Sequence, residues 1–212
     1  MRRVVILAAL AALALVIPTY DTLEAQESKV LLVVKEGPSL DLEYMLNEEV
    51  EVMRGILDSA GFEVVIASPS GQPLVAGETT ITPDIRLVEA DMADYAGIII
   101  PCMAMEEEPS IPGAEALARA AIVAKKPVAA QTGSVITLAR SGILNGKKFA
   151  YINQSVADVP ELEGLEHAGE GVVRDGLVIT SGVCPYAARE LGLQDGTQAL
   201  TGAFIASLWA TS

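Results

Sequence analysis

Apolar positions along the chain fall into short unbroken runs separated by stretches of helical spacing. Val30 to Val34 is one such run, with Lys35-Glu36-Gly37 directly after it. Glu63 to Ala67, Gly97 to Ile100, Val128 to Gln131 and Phe149 to Ile152 are the others. Continuous apolar runs predict strands buried on both faces of a parallel sheet, because a half-exposed strand would alternate. Between them Leu46, Val50, Met53, Leu57 and Ala60 recur at helical spacing, with Gly61 as a stop. Ala114, Leu117, Ala118, Ala121 and Ile122 predict a second helix, ended by Lys125-Lys126-Pro127. Gly133-Ser134 opens a third, running through Ala139 and stopped near Gly142. Ile85 to Ala93 reads as a weaker helix and Ser68 to Pro83 as loop. Val172 to Thr180 reads as a hairpin turning at Asp175-Gly176. Thr197 to Trp209 closes the chain as an amphipathic helix with Leu200, Ala203, Phe204 and Leu208 on one side.

Strand and helix alternating in this way predict a three-layer α/β sandwich around a mostly parallel sheet. Ligands of such sheets sit in the crevice beyond the carboxyl ends of the strands. That rule directs attention to Lys35–Gly37, Pro101–Met105, Gln131–Ser134 and Ser181–Pro185.

The N-terminus follows a different pattern. Arg2 and Arg3 precede an apolar run of 14 residues, Val4 to Ile17, ended by Pro18. A polar stretch then leads to Glu24-Ala25-Gln26. This order is that of a secretory signal peptide, with cleavage expected after Ala25. The run is short for a membrane span, which needs about 20 residues. The expected organisation is a signal peptide over 1–25 and a single domain over 26–212. The mature chain is expected outside the cytoplasm, periplasmic or extracellular, with no membrane attachment after cleavage.

Composition narrows the function. The net charge of −14 leaves no basic patch to displace counterions, so nucleic acid is not an expected partner. Two cysteines and one histidine are too few for a zinc site of the usual kind, and no metal or other cofactor is expected.

Pro127 to Ser134 runs from strand into helix with almost no loop. Such a turn exposes one side chain at a helix start, the geometry of a nucleophile elbow. The residue there is Thr132 or Gln131. A threonine at a helix start is more often an N-cap or pocket wall than a nucleophile.

The ordered series of motifs is similar to the ThiJ/PfpI family, the DJ-one superfamily of the class I glutamine-amidotransferase-like fold. The resemblance runs from about Lys29 to Leu208. It is carried by Lys29–Val34, Ser68-Pro69-Ser70-Gly71-Gln72-Pro73, Asp94–Pro101, Lys126–Ala130, Leu138–Lys148 and Asp175–Ser181. It implies a flavodoxin-like sheet, a crevice for a small molecule and a homodimer. It also implies a cysteine at the elbow and a glutamate on the first helix. Ungapped counting places these at Thr132 and Glu49, so the elbow cysteine is absent. The family's two glycines after the third strand are replaced by Cys102-Met103. A histidine found in some members falls near Ile152, and the chain's one histidine, His167, lies elsewhere. Without a histidine beside Thr132 a hydroxyl nucleophile has no base.

The resemblance brings Cys102 and Cys184 to one end of the sheet, near Thr132. A disulfide between them would close a loop of about 80 residues and stabilise by roughly 4 kcal/mol. Two separate buried thiols, or a relocated catalytic cysteine, are the other readings. The run Glu106-Glu107-Glu108 reads as a solvated face, or as a cation-binding lip. The expected function is small-molecule binding without the family's chemistry. The alternative is a hydrolase or lyase on small carbonyl or amide substrates, with Thr132, Cys184 or Cys102 as nucleophile and Glu49 as acid or base. In either case Gln131, Gly133, Ser134, Cys102 and Met103 are expected to line the pocket.

Overall fold

The computed structural model describes residues 29–211. The expected signal segment, 1–25, lies outside them. Within them, parallel pairing builds the centre of the molecule. Strand β1 (Lys29–Val33) lies between β2 (Glu63–Ser68) and β6 (Gly97–Ile100). Strand β7 (Val128–Gln131) follows β6, and β11 (Val178–Ser181) follows β7, both parallel. The short β5 (Ile85–Arg86) ends one edge, and β10 (Val172–Asp175) ends the other as the antiparallel strand. The seven-stranded order is β10-β11-β7-β6-β1-β2-β5.

Successive side chains of a strand point to opposite faces, so each apolar run feeds two cores. Val30, Leu32, Ile99, Ala129 and Ile179 face one layer of helices. That layer contains α1 (Leu42–Met45), a π-helical stretch (Leu46–Val50), α2 (Glu51–Ser59) and α6 (Thr197–Thr211). Leu31, Val33, Ile98, Ile100, Val128 and Ala130 face the other layer. There α3 (Pro112–Val123) and α4 (Ser134–Arg140) cover the sheet. Burying one such aliphatic side chain contributes about 1.5–3 kcal/mol. This is why the runs are continuous, and the expected three-layer, mostly parallel architecture is the one found.

Several local expectations need correction. The stretch read as loop contains a hairpin, β3 (Leu74–Ala76) with β4 (Thr79–Ile81), which buries Leu74 and Ile81 against the π-helical side. Ile85 to Ala93 is not a helix but β5 and two 3-10 turns, Leu87–Glu89 and Met92–Asp94. Phe149 to Ile152 is not a fifth strand of the main sheet. Only β8 (Lys148–Phe149) is strand, paired in parallel with β9 (Glu166–His167) as a separate two-stranded sheet beside β10 and β11. A further helix, α5 (Pro185–Leu191), was not expected; its apolar pattern is too short to register. The hairpin at Asp175-Gly176 is as expected, and Gly176 has φ 65°, a backbone state open to glycine at no steric cost. Among the described residues no helix is long and apolar enough to cross a membrane.

Candidate functional site at the carboxyl ends of the strands

The carboxyl ends of β1, β6, β7 and β11 bring Lys35, Cys102, Thr132 and Cys184 into one region. A cavity of about 370 Å³ opens there. Its wall includes Cys102, Thr132, Gly133, Ile136, Tyr151, Ile152, Cys184 and Tyr186, with Glu106, Glu108 and Glu190 also contributing.

The elbow between β7 and α4 is present. Thr132 has φ 43°. A β-branched residue in the left-handed region is a clear departure from ordinary backbone preference, costing about 1–2 kcal/mol. Neighbouring bonds hold it there: its amide donates to Ser181 O at 2.7 Å, and its Oγ1 donates to Gly182 O at 3.1 Å. The fold retains the strained turn even though the side chain is a hydroxyl tied to a carbonyl. Gly182 has its own packing reason, since a Cβ there would lie 2.7 Å from Glu170 O.

A second strained segment faces the elbow. Met103 and Ala104 have φ 56° and 44°, two consecutive non-glycine residues in left-handed conformation. Glu49 pins this loop. Its Oε1 accepts from the Cys102 amide and its Oε2 from the Met103 amide, both at 2.8 Å. Glu49 sits in the π-helical stretch Leu46–Val50, an irregularity often found at functional sites. Burial pushes its carboxyl well above the usual carboxylate range, and the Cys102 charge pushes it the same way.

Lys35 follows β1 and is fully buried. Its Nζ donates to both oxygens of Glu108, at 2.8 and 2.7 Å. Glu106 and Glu107 are exposed, as a solvated run predicts, but Glu108 is not: its side chain is only 9% exposed, because a buried ammonium requires a carboxylate beside it. The Glu108 carboxylate also lies over the elbow, where a Cβ on Gly133 would come within 2.6 Å of Oε2.

Cys102 and Cys184 are both free and buried. The structure thus shows no disulfide but two buried thiols, and it places them beside each other. Their side chains interact directly, and they titrate in opposite directions. The Cys184 thiol beside it, then Lys35 and the Gly133 amide, bring Cys102 down to about 6 against the penalty of burial. The same neighbour, with burial, pushes Cys184 well above the usual thiol range.

The expected pocket residues divide by side-chain direction. Thr132, Gly133, Cys102 and Cys184 line the cavity. Gln131 does not: it shares strand parity with Ala129 and points toward α6, donating to Val183 O at 2.8 Å and Thr197 Oγ1 at 3.2 Å. Ser134 donates inward to Pro101 O at 2.6 Å. Met103 is buried with its Sδ accepting from the Lys35 amide at 3.0 Å. Glu49 lies behind the loop, with both oxygens accepting from amides, and is not part of the cavity wall. His167 stands in β9 with Nε2 3.0 Å from Tyr151 O and is not part of the wall. Sequence reasoning pointed to Lys35–Gly37 and to the acidic run without pairing Lys35 with Glu108, and it missed Tyr151. The visible signal for Lys35 was a lysine directly after a fully apolar strand.

A parallel sheet with an elbow between a central strand and a covering helix, and a glutamate behind the facing loop, defines a class: the flavodoxin-like α/β sandwiches with a site at the strand ends. Within that class the chain belongs to the DJ-1/PfpI family, whose model matches residues 7–194. Solved structures agree on the fold. A ThiJ/PfpI domain protein from Brachyspira murdochii has TM-score 0.66 at 16% identity, over 87% of this chain and 98% of its own. Toxoplasma gondii DJ-1, in oxidised form, has TM-score 0.56 at 23% identity, over 87% and 97%. A DJ-1 superfamily protein from Agrobacterium tumefaciens has TM-score 0.58 at 20% identity, over 84% and 98%. No curated protein matches the chain.

Proposed function

We propose that this chain is an exported DJ-1/PfpI-family protein that binds a small, neutral, largely apolar molecule in the cavity above Thr132, without elbow chemistry. The observation that carries the reading is the state of the elbow. Thr132 Oγ1 is tied to Gly182 O, and no histidine, lysine or arginine belongs to the cavity wall. A hydroxyl without a base is a poor nucleophile. A mostly apolar concave site of this size suits a small ligand. Export rests on the order of Arg2-Arg3, the apolar run and Ala25.

Fragment screening by NMR tests the binding reading. Binders should perturb Ile136, Tyr151 and Thr132, and Ile136→Trp should abolish their binding while leaving the fold intact. A library without binders, or binders indifferent to Ile136→Trp, would sink it.

A second reading is favoured by one specific observation, the Cys102 environment. A thiol brought down to about 6 is largely thiolate at neutral pH. Cys102 would then attack a small electrophilic carbonyl from the loop after β6, a place the family's elbow residue does not occupy. Iodoacetamide labelling, followed by mass spectrometry, should modify Cys102 before Cys184, with a rate rising through about pH 6. Equal labelling of the two, or an inflection near 9, would exclude it.

A further inference from the structure

Neither elbow chemistry nor simple binding uses the two thiols of the cavity wall. They come from segments far apart in the chain, the loop after β6 and the start of α5, yet their side chains interact. Both belong to the wall of the same cavity, so a small molecule that reaches one reaches the other. Around them the wall is apolar, with Ile136, Ile152 and Ala187, and carries carboxylates rather than cations. Glu108 is neutralised by Lys35, and Glu190 by Arg189; Glu106 has no ion pair among the described residues.

We infer that Cys102 and Cys184 form a dithiol site that exchanges with small neutral or cationic disulfides, Cys102 attacking and Cys184 resolving. The inference deepens the thiol reading of Cys102 and rests on it. In the first step the Cys102 thiolate attacks one sulfur of R–S–S–R. The Cys102–S–R bond forms, the S–S bond of the reagent breaks, and one RS⁻ leaves. In the second step the Cys184 sulfur attacks Cys102 Sγ. The Cys102–Cys184 disulfide forms, the second RS⁻ leaves, and the proton of Cys184 passes to a departing thiolate. The pair loses two electrons and the reagent gains them, with one RS⁻ and one RSH released.

The geometry suits this order of events. The attacking sulfur needs thiolate character near ambient pH, and the resolving sulfur attacks second, giving up its proton as the mixed disulfide opens. The Cys184 thiol, with Lys35 and the Gly133 amide, holds the negative charge on Cys102, and the same contact, with burial, keeps the proton on Cys184. A mixed disulfide needs room for the R group, and the cavity supplies it. The backbone on the Cys102 side is already anchored by Glu49, so the sulfur is presented from a held loop.

The test uses the fully reduced mature protein, freed of reductant, with three probes: cystamine (cationic), 2-hydroxyethyl disulfide (neutral) and dithiodiglycolate (anionic). Intact mass and peptide mapping are read over time. Wild type should lose two hydrogens and carry no adduct. Cys184→Ser should accumulate a mixed disulfide on Cys102, and Cys102→Ser should react far more slowly at its remaining thiol. Cystamine should react about tenfold faster than dithiodiglycolate at low salt, with the gap closing at high salt. A stable adduct on the wild-type protein would overturn the resolving role of Cys184. Faster reaction of Cys102→Ser than of Cys184→Ser would overturn the order of attack. No exchange with any probe, while iodoacetamide still labels Cys102, would overturn this inference and leave the thiol reading standing. Circular dichroism of both serine variants separates lost exchange from lost fold.

Discussion

At the scale of single residues, the site is built from groups that would be costly anywhere else. Thr132, Met103 and Ala104 hold left-handed backbone without being glycine. Lys35 is fully buried, and its charge is tolerable only because Glu108 meets it with both oxygens. Lys35→Met should therefore cost about 3–5 kcal/mol in urea unfolding, since it strands the Glu108 carboxylate. Lys35→Met with Glu108→Gln should recover much of that loss, and a double mutant no more stable than Lys35→Met would refute the coupling. Cys102 makes a different prediction, about pH. Its folded value, about 6, lies below its ordinary value of 9.0. The unfolded chain therefore binds more protons between those limits, so this group's contribution rises with pH across the window. It is fully present above about 9 and lost as pH falls through about 6. Glu49 acts the other way: its raised carboxyl favours the fold most at low pH and loses that contribution as pH climbs through its folded value. The stability difference between wild type and Cys102→Ser, followed by thermal melting from pH 6 to 9, should widen in favour of wild type. A flat difference would mean that Cys102 is not a thiolate in the folded protein.

At the scale of elements, the elbow and the facing loop are two halves of one device. Helix α4 starts where Gly133 leaves space for the Glu108 carboxylate. The backbone of Gly133 is ordinary helix, so glycine is there for room and not for conformation. Gly133→Ala should push Glu108 off its position, weaken the Lys35 pair and destabilise by about 1–3 kcal/mol. Chemical denaturation checks the loss, and the change should also slow or accelerate Cys102 labelling, because Glu108 and Lys35 both act on that sulfur. An unchanged midpoint with unchanged labelling would show that the loop moves freely. Glu49 belongs to the same device through the π-helical stretch Leu46–Val50. A regular helix through this segment would rotate its carboxylate relative to the amides of Cys102 and Met103. Glu49→Gln leaves one amide facing an NH₂ group, and should lower the melting temperature and loosen the loop that carries Cys102.

At the scale of the whole molecule, the parallel sheet gathers four strand ends from segments spread between residues 33 and 181. Gly182 shows how tightly that end is closed, with Glu170 and Tyr151 backbone atoms within 2.8 Å of any added Cβ. Gly182→Ala should accordingly cost several kcal/mol or prevent folding. The expression test at the other end of the chain is N-terminal sequencing of protein recovered outside the cytoplasm. Recovery there with Gln26 as first residue would support export and cleavage after Ala25, and protein found only in the cytoplasm with Met1 as first residue would sink both. The sheet, the helix that carries Glu49 and the elbow were legible in the sequence, because buried parallel strands are continuous apolar runs and a strand-to-helix turn leaves almost no loop. The hairpin at 74–81 and the short helix at 185–191 were not legible, because periodicity needs more residues than they have. Which side of β7 holds Gln131, which glutamate of three meets Lys35, and that Cys102 and Cys184 meet at all were decided only in the tertiary structure. Those facts depend on strand parity at the end of the sheet and on contacts between residues some 70 to 80 positions apart, which no local pattern encodes.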